Sequence, residues 1–171
     1  MPEVHVCPLS LVPDTVARAR ASHLVSLIND STPVNRPQTI AATNHLFLGI
    51  NDIVEPMDGM VLPAETHVRE LIDFVDAWDR RRPIVVHCFA GISRSTAAAY
   101  ITLCAVNPSR SESEIAIRLR ASSRFASPNP LIVALGDSLL GRGGRMIEAI
   151  AAIGRGEVAI ESTPFAIPIE A

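Results

Sequence analysis

The chain has 171 residues, 48% of them hydrophobic and 19% charged, with a formal net charge of only −3. That length and balance fit one globular domain with a continuous core, and they exclude a disordered chain or a strongly basic nucleic-acid binder. No run approaches 18 apolar residues, so no helical membrane span is expected.

In chain order, Val4-His-Val is a short β-type start, and Asp14 is a candidate N-cap for a helix over Thr15 to Arg20. His23 to Ile28 reads as a buried strand, closed by the turn-rich Asn29-Asp-Ser-Thr-Pro33. Asn44 to Ile50 is a second strand, and residues 51–62 form a loop punctuated by proline and glycine. Pro63 suits a first helical turn. Val68, Leu71, Ile72, Val75 and Trp78 then keep to one helix face, with Arg80-Arg-Arg-Pro83 closing the helix. Ile84 to His87 is a β-branched central strand, and Arg94 to about Val106 the helix after it. Ser111-x-x-Glu114 has the form of a capping box for a helix to about Ala121. Asn129 and Pro130 open another through Leu140, and Met146 to Ile153 supply the last. Glu157 to Ala171 is apolar but holds two prolines, open to packing as an extended strand or to fraying. Strands alternating with helices predict an α/β fold, a central, mostly parallel sheet flanked by helices. A single domain over 1–171 is expected, with 156–171 as an extended C-terminal tail.

Three cysteines at scattered positions 7, 88 and 104 do not make a disulfide framework and suit a reducing compartment. With neither a basic leader nor an apolar segment at the start, a cytoplasmic protein is expected. All 15 basic residues are arginine, so no catalytic lysine exists, and with the many alanines this suggests a high-GC bacterial genome. His5, His23, His45 and His67 lack ligand spacing, so neither a metal nor another cofactor is expected.

The chemistry concentrates at residues 84–95, Ile-Val-Val-His-Cys-Phe-Ala-Gly-Ile-Ser-Arg-Ser. A strand delivers Cys88, a short loop follows with Gly91 at its middle, and a helix opens at Arg94. Such a loop aims backbone N–H groups at one point, beside the positive end of a helix dipole, and so cradles an anion. A cysteine at the floor of that cradle is favoured as the nucleophilic thiolate. Arg94 offers a planar fork for two phosphate oxygens. Phe89, Ala90, Gly91, Ile92 and Ser93 are read as contributing backbone amides, and only Gly91 freely takes a positive-φ turn. Cys104 and Arg110 have the same separation, but no glycine lies between them and Cys104 ends no strand, so Cys104 is read as a small buried residue.

His87-Cys88-x-x-Gly91-x-x-Arg94-Ser95 resembles the signature of the cysteine-based protein tyrosine phosphatases, in their compact, dual-specificity-like branch. The resemblance implies metal-free hydrolysis of a phosphate monoester through a cysteinyl-phosphate. The implied substrate is a phosphorylated protein, with phosphotyrosine foremost, or another phosphomonoester. It implies that Ser95 stabilises the departing thiolate and that His87 orders the loop and supports the cysteine as thiolate. Ser95 as a plain helix cap and His87 as an ordinary core histidine are the competing readings. The family also uses an aspartate on a mobile loop as general acid. Asp52, directly after a strand, is favoured over Asp58, whose separation from Cys88 is the closer match; Glu55 is a distant third. Ser127-Pro128-Asn129 resembles a segment whose asparagine supports the loop or caps a helix. Two other readings stand beside this one, a rhodanese-like sulfurtransferase carrying a persulfide and a catalytically silent phospho-binding module.

Overall fold

The computed structural model describes residues 2–170. Five strands form one sheet: β1 (Glu3–Pro8), β2 (His23–Ile28), β3 (His45–Gly49), β4 (Ile84–Cys88) and β5 (Phe165–Pro168). Their order is β3-β2-β4-β1-β5, and only β5 runs antiparallel, along β1 at the edge. The all-buried β4 therefore takes the centre, as expected of the run Ile84-Val-Val-His-Cys88.

Alternation along β4 sorts its side chains between the two faces. Ile84 and Val86 join the large core with helix α3 (Arg94–Val106), of which every residue but Ala105 is buried. Helices α2 (Glu65–Ala77), α4 (Glu112–Ser122) and α5 (Pro130–Leu139) pack around α3 on that side, and α6 (Arg145–Ile153) packs on α4 and α5. Val85 points the other way, into a smaller cluster with Cys7, Leu24, Ile40 and helix α1 (Val12–Ala19). Among the described residues no helix is long and apolar enough to cross a membrane.

Several helix starts differ from the sequence expectation. Helix α1 begins at Val12, so Asp14 lies in its first turn, where its charge suits the positive pole, and is not the cap. Helix α2 begins at Glu65, beyond Pro63, and the Ala64 N–H donates to His67 Nδ1 at 3.0 Å. It stops at Ala77, before the exposed arginines Arg80 to Arg82. Ser111 precedes α4 but its hydroxyl makes no capping bond. Glu112 turns inward instead and binds Arg142 Nη1 at 2.9 Å and Arg145 Nε at 3.1 Å, so a buried ion pair fixes this turn. Asn129 does cap α5, accepting from the N–H groups of Leu131 and Ile132. Asp137, on α5, accepts from Gly144 and Met146 N–H and so starts α6.

Candidate active site

Cys88 ends the central strand, and the loop to Arg94 turns over it at the C-terminal edge of the sheet, where open α/β sheets bind ligands. Gly91 takes φ +71° and donates its N–H to Cys88 Sγ at 3.3 Å; Ser95 Oγ lies 3.2 Å from the same sulfur. Ser95 is thus not a helix cap, and Ser93, at the cap position, makes no side-chain cap either. Among the described residues no carbonyl takes the amides of Ala90, Ile92 or Ser93.

Arg94 is 8% exposed. Its Nη1 donates to Ile50 O at 2.8 Å, which fixes the plane of the guanidinium, while Nε is buried with no partner among the described residues. A buried donor without an acceptor costs free energy unless a ligand supplies one. The orphaned donor lies on the residue that closes the loop, and an oxyanion there would satisfy it.

The loop carbonyls face outward and each has a donor. His87 Nδ1 binds Cys88 O at 3.2 Å and Leu9 N–H binds Phe89 O at 3.1 Å. Ser162 serves two, its N–H to Ala90 O at 2.8 Å and its Oγ to Gly91 O at 3.0 Å. Ser127 N–H takes Ile92 O at 2.9 Å, and Asn129 N–H takes Ser93 O at 3.3 Å.

His87 is fully buried, and its proton can be located. A carbonyl can only accept, so Nδ1 carries hydrogen toward Cys88 O. Nε2 then accepts from Ser26 Oγ at 2.6 Å, and Ser26 Oγ accepts from His45 Nε2 at 2.8 Å. Burial above all, reinforced by His45 and Arg94, holds His87 down to about 4 against the pull of its carbonyl bond. The ring is neutral at physiological pH, so whatever it gives Cys88 is geometry and not positive charge. Burial pushes both Cys7 and Cys104 up to about 12, which leaves them as inert thiols.

The loop after β3 separates the two candidate acids. Asn51 N–H donates to Val61 O at 2.9 Å and Val61 N–H donates to Asn51 Oδ1 at 2.8 Å, closing a neck. Asp52 sits at that neck, its Oδ1 accepting from Ser93 Oγ at 2.8 Å and Asn129 Nδ2 at 2.9 Å. Asp58 stands at the exposed far end, within the turn closed by Met60 N–H on Met57 O. A cavity of about 960 Å³ opens from Asp52 and Ser93, walled by Ile53, Met57, Pro128 and Ile150; Glu55 lines it and Asp58 does not. Asn129 both caps α5 and holds Asp52, the two kinds of role its segment implied. Ser26, His45 and Ser162 are the members of this network that sequence reasoning missed. No local pattern marks any of them.

The protein-tyrosine phosphatase family model matches residues 57–122, which takes in Cys88 to Ser95 but not Asp52. Dual specificity protein phosphatase 15 of Rattus norvegicus is 29% identical over 119 residues, covering 69% of this chain and 45% of the relative. The chain thus matches less than half the length of that protein. A crystal structure of DUSP15 superposes with a TM-score of 0.58 at 19% identity, over 92% of this chain and 96% of that one. The PTP-2 phosphatase of Cydia pomonella gives a TM-score of 0.62 at 18% identity, over 79% and 84% of the two chains. Over part of its length the chain is thus similar to protein-tyrosine and dual specificity protein phosphatases, and the solved structures show that it shares their fold.

Proposed function

We propose that this chain is a metal-free phosphate monoester hydrolase that acts through a cysteinyl-phosphate. One observation carries the reading. Cys88 Sγ lies within reach of Gly91 N–H and Ser95 Oγ, in a loop closed by an arginine with a buried, unpartnered Nε. Donors collected around a sulfur in this way are placed to hold an oxyanion above it.

In the first step Cys88 Sγ attacks phosphorus in line. The S–P bond forms as the P–O ester bond breaks, and the electron pair leaves on the ester oxygen. Arg94 and the amides from Phe89 to Ser93 hold the equatorial oxygens. Asp52 protonates the leaving oxygen. In the second step water attacks phosphorus, Asp52 takes its proton, and the S–P bond breaks to release inorganic phosphate. Ser95 donates a hydrogen bond to the thiolate as it departs. Asp52 is favoured over Asp58 because Ser93 and Asn129 tie it to the loop itself.

The substrate is a phosphorylated protein, the class named by the dual specificity protein phosphatase it resembles, with phosphotyrosine foremost as in the matching protein-tyrosine phosphatase model. The chain acts as one catalytic domain, 1–171, in a reducing cytoplasm, as three free cysteines allow. Its exclusive use of arginine favours a high-GC bacterial source. A persulfide carrier would gain nothing from Asp52 held beside the loop, and a silent binder would not need Cys88.

The test is hydrolysis of p-nitrophenyl phosphate and of phosphotyrosyl and phosphoseryl peptides by wild type and Cys88→Ser. Activity in wild type that disappears in the variant is expected, with orthovanadate inhibiting wild type. Undiminished hydrolysis by Cys88→Ser would exclude the covalent route. Thiocyanate formation from thiosulfate and cyanide without phosphatase activity would favour the sulfurtransferase.

A further inference from the structure

A loop that turns its amides inward must turn its carbonyls outward, and each outward carbonyl needs a donor. Four of the six from Cys88 to Ser93 are served from near the loop in the fold's main body: by His87, Leu9, Ser127 and Asn129. The other two, on Ala90 and Gly91, depend on one distant residue, Ser162. We infer that residues 156–168 form a strap holding the catalytic loop in its anion-binding shape, with Ser162 as a positioning residue. This inference rests on the phosphatase reading above.

The strap is anchored at both ends. At one end Gly156 N–H donates to Ser127 Oγ at 2.9 Å and Glu157 N–H donates to Arg124 O at 2.9 Å. At the other, β5 pairs with β1 and carries Ile167 into the core, while Arg118 Nη2 donates to Pro168 O at 3.0 Å. Between these anchors Val158 and Ile160 are fully in solvent, at 101% and 97% exposure, yet Ser162 is only 3% exposed. The segment gains little apolar burial there, so its one buried polar residue is where it grips.

The grip falls where the loop is most constrained. A Cβ at Gly91 would lie 2.5 Å from Ser162 Oγ, so the hydroxyl fits directly behind the positive-φ turn. Gly91 is also the residue whose N–H reaches Cys88 Sγ. Ser162 binds the peptide units on both sides of the turn: Ala90 O belongs to the unit that carries the Gly91 amide, and Gly91 O to the unit that carries the Ile92 amide. Fixing those carbonyls aims those two N–H groups.

The test compares wild type, Ser162→Ala and Ser162→Thr by three readouts. They are amide hydrogen exchange of residues 89–94, orthovanadate affinity and kcat/KM on p-nitrophenyl phosphate, with thermal melting as the control for folding. Ser162→Ala is expected to speed exchange in the loop and to weaken vanadate binding by about tenfold, as for one lost buried hydrogen bond. Melting should fall by no more than a few degrees, as for one buried hydrogen bond, and Ser162→Thr, which keeps the hydroxyl, should restore binding. Unchanged exchange and unchanged vanadate affinity in Ser162→Ala would overturn the strap, as would an equal loss in Ser162→Thr. A wild type that neither binds vanadate nor hydrolyses phosphate would sink the phosphatase reading instead, and the exchange comparison would still decide the strap.

Discussion

Gly91→Ala is the substitution for which geometry and chemistry give separate magnitudes. At φ +71° an alanine costs about 1–2 kcal/mol for its left-handed conformation alone. For a chain of this size that corresponds to a fall of roughly 2–8 °C in melting temperature. The added Cβ would also lie 2.8 Å from Cys7 C and 2.8 Å from Pro8 N, backbone atoms at the end of β1. Those atoms are held by the ladder to β4 and cannot yield cheaply, so the loop must move. Its movement withdraws the Gly91 N–H from Cys88 Sγ and spoils the aim of the neighbouring amides. Loss of one donor of this kind costs about 10²–10³ in rate. The assay is kcat/KM on p-nitrophenyl phosphate, with vanadate inhibition and thermal melting on the same preparations. Activity should fall far more than stability. Adding Ser162→Gly to the variant should not rescue it, because the backbone contacts with Cys7 and Pro8 remain. A folded Gly91→Ala protein with near-wild-type kcat/KM would refute the argument that this turn aims the cradle.

Asp52→Asn should slow hydrolysis of alkyl phosphates, whose leaving oxygen needs a proton, much more than that of p-nitrophenyl phosphate, whereas Asp58→Asn should leave both near wild type. The opposite pattern would move the acid to the far end of the loop. Iodoacetate at neutral pH should modify Cys88 alone by peptide mass mapping, since burial holds Cys7 and Cys104 up to about 12; label on either of those first would contradict the site. His87 predicts a pH slope in stability. Its ring is held down to about 4 in the fold against about 6.5 in the unfolded chain, so the unfolded state binds more protons in between. Its contribution is complete above about pH 6.5 and is lost progressively as pH falls toward 4, about 2 kcal/mol of it by pH 5. Urea unfolding should show a shallower slope over that window in His87→Gln, while His5, His23 and His45, all shifted down by burial, keep theirs. An unaltered slope would mean that His87 is not the neutral, buried ring described.

What could be read from the chain alone was whatever has a local cause. His23–Ile28 and Arg94–Val106 fall where expected because β-branched runs and helix-favouring stretches declare themselves within a few residues. Helix starts were less legible. Ser111 looks like a cap, yet Glu112 fixes that turn through Arg142, 30 residues further on. Spacing and local context point to different acids, Asp58 by its separation from Cys88 and Asp52 by its place after β3. The bond that ties Asp52 alone to the catalytic loop's surroundings comes from Asn129, 77 residues away, and no local pattern announces it. His87 was recognisable, but its charge state was not, because that depends on burial and on Ser26 and His45 from two neighbouring strands.

The site divides along the same line. Its inner half, which would meet the anion, is contiguous in sequence, because one strand, loop and helix suffice to converge amides, a thiol and a guanidinium. Its outer half is assembled from several other parts of the chain, since outward carbonyls accept any well-placed N–H or O–H. Leu9 comes from the turn after β1, Ser127 and Asn129 precede α5, and Ser162 lies ahead of β5. A donor role of this kind constrains geometry but hardly constrains residue type, and a backbone N–H excludes only proline. A short signature can therefore mark the chemistry while leaving its supports unmarked. On this view changes to the outer donors should alter how well the cradle holds its anion before they alter which reaction it performs.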